Sequence, residues 1–435
     1  MDSSLRERPN TCPEDTGTRQ NRASSKRKAG KRKVHSLIDK VFSRRNLELA
    51  WQKVKQNRGS AGVDEVTIAQ FEAREAVYLD LLHRQLRDGT YRPQPVKRVE
   101  IEKAEGGVRK LGIPTVVDRV VQQALVQRME PIFEPQFLDC SFGYRKGRSP
   151  HDAMRKVWRE LTGGAYWIVD ADLRAFFDTI AQEQLIDLIA EEISDGRVLQ
   201  LVREMLRAGV WEDGRWAATD TGVPQGGVAS PLWSNIFLTP FDRWMTAHGF
   251  RLTRWADDFV VVCRTKAEAQ RALACAERFL REELGVALHP QKTRIVHVRQ
   301  GFEFLGYKVK RGKGFRLPAQ KRRSKANPHD LYAIPRPKSV KRFQERIRHL
   351  TRRKAPIALR ALIDRISPVI RGWGTYYRKA HVRQLFNRLD RWIERRIYAF
   401  LAKRWRSTIW RKYPKLIEEY GLVRLTHLIP GLVQR

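Results

Sequence analysis

Cysteine is scarce in this 435-residue chain: four residues, at positions 12, 140, 263 and 275, with no two in a C-x-x-C pair. Neither a disulfide framework nor a zinc ribbon is indicated, and a reducing, cytoplasmic setting fits best. Long apolar runs are missing too; none approaches the ~18 residues that span a bilayer, so no membrane association is expected. The first ten residues are polar and lack the apolar core of a secretory signal, so nothing suggests export. Acid is in deficit: 85 Lys+Arg stand against 48 Asp+Glu, a formal net charge of +37. That balance points to a polyanionic partner. With 42% hydrophobic and 9% aromatic residues, the chain is not a disordered basic tail, and its length suggests two or three domains.

The charge is unevenly placed. Residues 1–36 hold ten Lys/Arg and four Asp/Glu, with a basic run that includes Lys31, Arg32 and Lys33. This reads as a flexible arm, either a solvated tail or an RNA contact. Between Lys308 and Lys412, 33 Lys/Arg face only five Asp/Glu, so about a quarter of the chain carries +28 of the net charge. A surface that neutralises many phosphates releases counterions, and its binding weakens as salt rises. The same region is helically patterned. In His381 to Trp405, Val382, Phe386, Leu389, Ile393 and Ile397 repeat at three and four residues, while Arg383, Arg388, Arg391 and Arg395 occupy other positions. One face packs and another offers cations. Upstream, Ser339 to Arg353 and Ile357 to Ile366 read as two more helices, separated by Ala355-Pro356 and closed by Ser367-Pro368.

Residues 37–300 have a different texture. Short β-rich runs such as Tyr166 to Val169 and Phe259 to Val262 alternate with helical stretches, among them Asp118 to Met129. Interspersed strands and helices make this body α/β or α+β. A glycine-rich turn, Gly222 to Pro231, runs into a helix whose natural N-cap is Ser230. Such a turn can present backbone N–H groups to a phosphate, though a packing turn is the commoner explanation.

Two acidic segments carry the chemistry. In Arg254 to Val262 the pair Asp257-Asp258 lies between β-rich runs, as at a hairpin tip. Like charges held so close repel, and a divalent cation would offset that cost. In the second, the apolar run Trp167 to Val169 leads into Asp170, Ala171 and Asp172. Spacing does not choose between Asp170 and Asp172, which point to the same side of a strand. If one joins the hairpin tip, three carboxylates converge into a hard oxygen site suited to Mg²⁺. Two such ions, ~3.5–4 Å apart, would activate an attacking 3′-hydroxyl and stabilise a leaving pyrophosphate.

At these residues the chain resembles group II intron-encoded reverse transcriptases, or maturases, from about residue 47 to 425. Trp51 to Asp64 looks like the family's N-terminal extension. Arg109 to Thr115 with Asp118 to Gln122, and Ser141 to Arg145 with Gly147 to Ser149, resemble its fingers motifs. Asp172 to Asp178, Gly222 to Pro231, Trp255 to Val262, Leu288 to Thr293 and Phe304 to Tyr307 resemble its palm motifs. Arg371 to Tyr377 resembles the maturase, or thumb, domain. The resemblance implies an α+β right-hand polymerase: a basic arm over residues 1–36, fingers and palm over 37–307, and an α-helical thumb/maturase domain over 308–435.

The resemblance also implies roles. Asp172, Asp257 and Asp258 would be the catalytic, metal-binding triad, holding two Mg²⁺ ions. Phe177 would lie under the incoming sugar, Gln225 and Gly226 would line the nucleotide pocket, Arg109 would contact the triphosphate with help from Lys103, and Lys292 would protonate the leaving pyrophosphate. Lys31, Arg32, Lys33, Arg371, Trp373, Tyr376 and Arg395 are candidate nucleic-acid contacts. The expected partners are an intron RNA template, a DNA primer and dNTPs.

Three positions depart from the pattern: Trp255 replaces the usual tyrosine, Lys110 the usual proline after Arg109, and Arg174-Ala175 a lysine-glycine pair. The chain ends without the paired cysteines and histidines of the family's optional endonuclease, so a primer made elsewhere, as at a replication fork, is expected. Two other functions fit the same sequence: a non-enzymatic RNA-binding splicing factor on a polymerase scaffold, and a relative co-opted for host defence or repair.

Overall fold

A computed structural model describes residues 33–102, 108–312, 330–352, 357–404 and 419–430, with backbone alone for 401–404. Lys31, Arg32, Lys103 and most of the basic arm lie outside the described residues. The chain divides into two compact units, Met1–Ile295 and Val296–Arg435. No helix among the described residues is long and apolar enough to cross a membrane.

The chain up to His297 holds two four-stranded sheets. One contains β1 (Val96–Glu102), β2 (Val108–Ile113), β4 (Val210–Glu212) and β5 (Arg215–Ala217), in the order β2-β1-β4-β5. The other contains β3 (Trp167–Asp172), β6 (Arg251–Trp255), β7 (Asp258–Cys263) and β8 (Arg294–His297), in the order β6-β7-β3-β8. The inner strands β3 and β7 are buried along most of their length, as expected for runs of β-branched residues covered on both faces.

Helices build the body around these sheets. The helix Val116–Phe133 starts at Thr115, whose hydroxyl accepts from the Asp118 N–H, and it buries Val120, Val121, Ala124, Leu125 and Met129. Pro150–Thr162 begins with a capping box between Ser149 and Asp152 and with Pro150 in its first turn, a pairing that satisfies donors the helix cannot satisfy itself. Ser230–Ala247 is buried over most of its residues and forms part of the core with Val116–Phe133. Ser230 is its first residue and not its N-cap, which is Ala229. The hydroxyl of Ser230 instead donates to Pro224 O at 2.7 Å, folding the preceding turn back on itself.

The described end of the basic arm is anchored: Val34 forms a bridge with Ile193, and Lys33 Nζ donates to Ala190 O at 2.7 Å. Cys140 and Cys263 are free and buried. Cys275 is buried as well.

The second unit opens with a three-stranded antiparallel sheet of β9 (Phe302–Phe304), β10 (Tyr307–Arg311) and β11 (Leu331–Pro335). Leu305 and Gly306, both left-handed (φ 48° and 77°), make the two-residue turn between β9 and β10, the conformation tight hairpins require. Helices Pro337–Leu350, Leu359–Tyr377 and Arg383–Arg404 follow. Ser367-Pro368 does not close a helix: Pro368 lies inside Leu359–Tyr377. The buried stripe Leu362, Ile363, Ile366, Ile370, Gly374 and Tyr377 runs straight past it. Continuous packing on that stripe outweighs the backbone bond that proline removes.

Candidate active centre

The core of the site is the end of β3 against the β6–β7 hairpin. Asp172 is the direct partner of Asp258 in the antiparallel register of β3 and β7. Asp257 lies in the hairpin turn, after Ala256 with its left-handed φ of 57°. Asp170, two residues earlier on β3, is taken by an arginine: its Oδ2 accepts from Arg294 Nε at 3.0 Å and Nη2 at 2.9 Å. The two aspartates that spacing left equivalent thus differ in surroundings.

Electrostatics set the site apart. Burial pushes the Asp258 carboxyl well above the usual range, and Asp170, Asp172 and Asp257 push it further. The Asp257 carboxyl is also raised, first by burial and then by Asp172, while Arg109 and Lys292 oppose the shift. The ammonium of Lys292 pairs directly with the Asp172 carboxylate.

In kind, these carboxylates fit a hard divalent cation, which would relieve their repulsion. In placement, they form no ready cage: among the described residues no three His, Cys, Asp or Glu side chains are grouped to hold one ion. Asp172 and Asp258 are neighbours through their backbones, but one of the two carries a lysine counter-ion.

The hairpin turn is held from below by Arg254, which is fully buried with its partner Asp242. Its guanidinium donates to both Asp242 oxygens at 2.7 and 2.5 Å, to Asn235 Oδ1 at 3.2 Å, to Ser141 Oγ at 2.8 Å and to Ala256 O at 2.9 Å. A planar fork with five donors suits this many-sided role, and a lysine could not fill it. The chain at Gly143 passes so close that a Cβ there would lie 2.4 Å from Ala256 N. Asn235 also donates to Gly143 O at 2.9 Å. Sequence reasoning missed Arg254, Asp242 and Asn235. Only the adjacency of Arg254 to the aspartate pair signals that arginine.

The glycine-rich turn connects to β2 and to the loop after β3. Gly112 N donates to Gln225 O at 2.8 Å, and a Cβ on Gly226 (φ 117°) would come within 2.7 Å of Gly112 O. Val223 N donates to Phe177 O at 2.7 Å. Two donors just before the following helix are already used: Gln122 Oε1 accepts from Val228 N at 2.8 Å and from Ala229 N at 3.4 Å. The turn thus packs through its backbone against β2 and the loop after β3. Gln225 lines a cavity of about 470 Å³ together with Arg98, Lys110 and Asp178, and none of the three aspartates borders it. Phe177 is 7% exposed and sits edge-on to Phe176 in the core. Arg109 is exposed on β2.

In the second unit, Trp373 stacks on Phe343 at 4.5 Å and donates Nε1–H to Ser339 Oγ at 3.2 Å. Tyr376 donates to Leu305 O at 2.7 Å, and burial pushes its hydroxyl up to about 12. Both side chains therefore use their polar atoms inside this unit. Arg371 and Arg395 are exposed. Arg395 lines an open groove of about 570 Å³ with Arg388, Arg391 and Gln384, on the side of its helix away from buried Phe386, Leu389 and Ile393.

Residues 101–309 match the family described as reverse transcriptase (RNA-dependent DNA polymerase), and residues 340–416 match the group II intron, maturase-specific domain. The chain is 36% identical over 286 residues to Protein YkfC of Escherichia coli (strain K12), covering 57% of this chain and 75% of that protein. It is 30% identical over 348 residues to the group II intron-encoded protein LtrA of Lactococcus lactis subsp. cremoris, covering 63% of this chain and 57% of that protein. Among solved structures, a chain of a partial Cas6-RT-Cas1–Cas2 complex is 23% identical, with a TM-score of 0.37, over 53% of this chain and 38% of that one.

Proposed function

Because the chain belongs to the group II intron-encoded reverse transcriptase/maturase family, we propose that it copies intron RNA into DNA and grips that RNA to assist its splicing. The observation that carries the first half is the register of Asp172 opposite Asp258, with Asp257 in the adjoining turn. Mutually repelling carboxylates facing a polyanion serve no purpose in a protein that only binds RNA. For the second half the support is the exposed arginine face of Arg383–Arg404.

Polymerases of this family use divalent metal ions; we read two Mg²⁺ ions here, held by Asp172, Asp257 and Asp258. When bound, they would favour the attacking 3′ oxygen and neutralise charge on the leaving pyrophosphate. The chain's own groups do the rest. Arg109 holds the triphosphate. Gln225 and Gly226 line the nucleotide pocket, and Phe177 limits the space beneath the sugar. Lys292, whose ammonium already stands on Asp172, delivers a proton to the departing pyrophosphate. We assign residues 37–307 to fingers and palm and 308–435 to the thumb/maturase domain. Lys31, Arg32 and Lys33 of the arm over residues 1–36, together with Arg371, Trp373, Tyr376 and Arg395, are the proposed nucleic-acid contacts. A bacterial cytoplasm or nucleoid, which supplies both dNTPs and intron RNA, is the matching setting.

Purified protein given poly(rA), oligo(dT), dTTP and Mg²⁺ should make DNA, and Asp257→Ala should abolish synthesis with RNA affinity retained. Folded protein that makes no DNA overturns the polymerase. If splicing assistance also survives Asp257→Ala, the chain is an RNA-binding splicing factor on a polymerase scaffold.

A further inference from the structure

The sheet β2-β1-β4-β5 has two chemically different faces. Partners in register share a face, and residues alternate along each strand. The pairings Ile101↔Arg109, Lys97↔Trp211 and Trp211↔Trp216 therefore put Arg109, Lys97, Trp211 and Trp216 on one side. Glu100, Glu102 and Glu212, the acids of these strands, all fall on the other side. There Glu212 pairs with Arg98 and Lys110, at 3.4 and 3.1 Å. The first face is left with two cations, no carboxylate, and two large rings exposed to 41% (Trp211) and 55% (Trp216).

The Trp216 ring is held and not loose. Trp216 Nε1 donates to Ala208 O at 3.3 Å. It lies against Gly209, where a Cβ would approach Nε1 to 2.4 Å. An indole fixed along one edge and bare on a face is the geometry on which an unpaired base stacks. Duplex offers no base face of that kind, and an acidic protein surface would have no use for two rings beside the cations.

We propose that this face binds single-stranded nucleic acid, specifically the unpaired part of the template ahead of the primer end. The proposal rests on the polymerase reading, which puts Arg109 at the incoming triphosphate. Strand spacing and rise place Trp211 and Trp216 on the order of 15–20 Å from Arg109 on the same face, a span that a few nucleotides cover. Lys97, between β2 and β4, would neutralise a phosphate on the way.

The test is equilibrium binding of labelled RNA–DNA template–primers with identical duplex and a 5′ template overhang of either one or about ten nucleotides. The natural protein should bind the long overhang at least about tenfold more tightly, as stacking of one or two bases provides. Trp211→Ala with Trp216→Ala should remove that preference and leave affinity for the short overhang within about twofold. Trp211→Phe with Trp216→Phe should keep most of it. Lys97→Glu should reduce the preference, while Arg215→Glu, the same charge change on the opposite face, should not. An alanine pair that keeps the preference, or that loses both substrates equally, overturns the proposal. Natural protein that extends primers without any overhang preference sinks this surface alone. Natural protein that shows the preference but extends no primer sinks the polymerase reading and leaves the surface standing.

Discussion

Asp172 and Asp258 face each other across β3 and β7, and the only one of the two with a lysine on its carboxylate is Asp172. Asp258 is left among like charges, and burial with its acidic neighbours lifts its carboxyl well above the usual range. Active centres commonly hold such unfavourable charge in place at a cost to stability.

Replacing Asp258 with Asn removes the repulsion while preserving shape. The unfolding midpoint should rise by about 2 °C, the shift worth ~1 kcal/mol in a domain of this size. Primer extension should fall by at least ~10³-fold as the acidic site is broken. Thermal unfolding and single-nucleotide extension on one preparation check both halves.

Arg254→Met leaves Asp242 buried without its partner and should cost about 3–5 kcal/mol in urea unfolding. Adding Asp242→Leu should recover most of that loss, since the unpaired charge is gone. Synthesis should stay low in the double variant, because Ala256 O and Ser141 Oγ still lack the donor that braces the hairpin turn. Recovery of synthesis together with stability would show that the pair is only structural.

Gly143→Ala should separate folding from catalysis in another way. The new methyl would collide with the backbone at Ala256 and not with a movable side chain, so the turn bearing Asp257 must shift. A misplacement of about 1 Å can cost ~10²-fold in rate. We expect that loss in extension assays, with binding of intron RNA unchanged.

His381 gives the second unit a pH response. Burial lowers its pKa from the ordinary value, and its hydrogen bond with Ala333 opposes the shift only in part. The folded pKa is therefore below the unfolded one. Stability is full above about pH 6.5 and declines as pH falls from there through the folded pKa, because the unfolded chain binds the proton more readily. Unfolding midpoints at pH 7.5 and 5.5 should differ in the natural protein, and His381→Asn should shrink the difference.

Changing Arg388, Arg391 and Arg395 together to Gln should flatten the salt dependence of RNA binding. Each phosphate contact contributes roughly 0.7 to the log–log slope for single strands, so three lost contacts should lower it by about 2. An unchanged slope in filter-binding titrations would place the RNA elsewhere.

Much of this arrangement was legible in the order of residues. Val120, Val121, Ala124, Leu125 and Met129 announce their helix because a helix buries one stripe, and the β-branched runs around Asp257 and Asp258 announce a hairpin because strands pair across short turns. Arg254 could not be singled out: in a chain with 85 Lys+Arg, a buried arginine reads like any exposed one until its partners, far away in sequence, are known. Pro368 misled for the opposite reason, since a local breaking signal was overruled by packing with distant side chains. Trp373 and Tyr376 belong to a motif, but only the fold shows that Ser339 and Leu305 take up their polar atoms. The direction of individual carboxylate oxygens at Asp172 and Asp258 is likewise a tertiary matter.

The contact between Gly112 and Gly226 constrains the future of this sequence as well as its present shape. Gly226 adopts a backbone angle that other residues resist, and a side chain there would strike Gly112 O. A side chain on Gly112 would in turn meet Val96. Neither position is free to vary singly, so a library built to broaden which nucleotides are accepted would find few viable members at either glycine. Diversity placed at Gln225, which meets Gly112 through its backbone oxygen, has far better odds of returning folded protein.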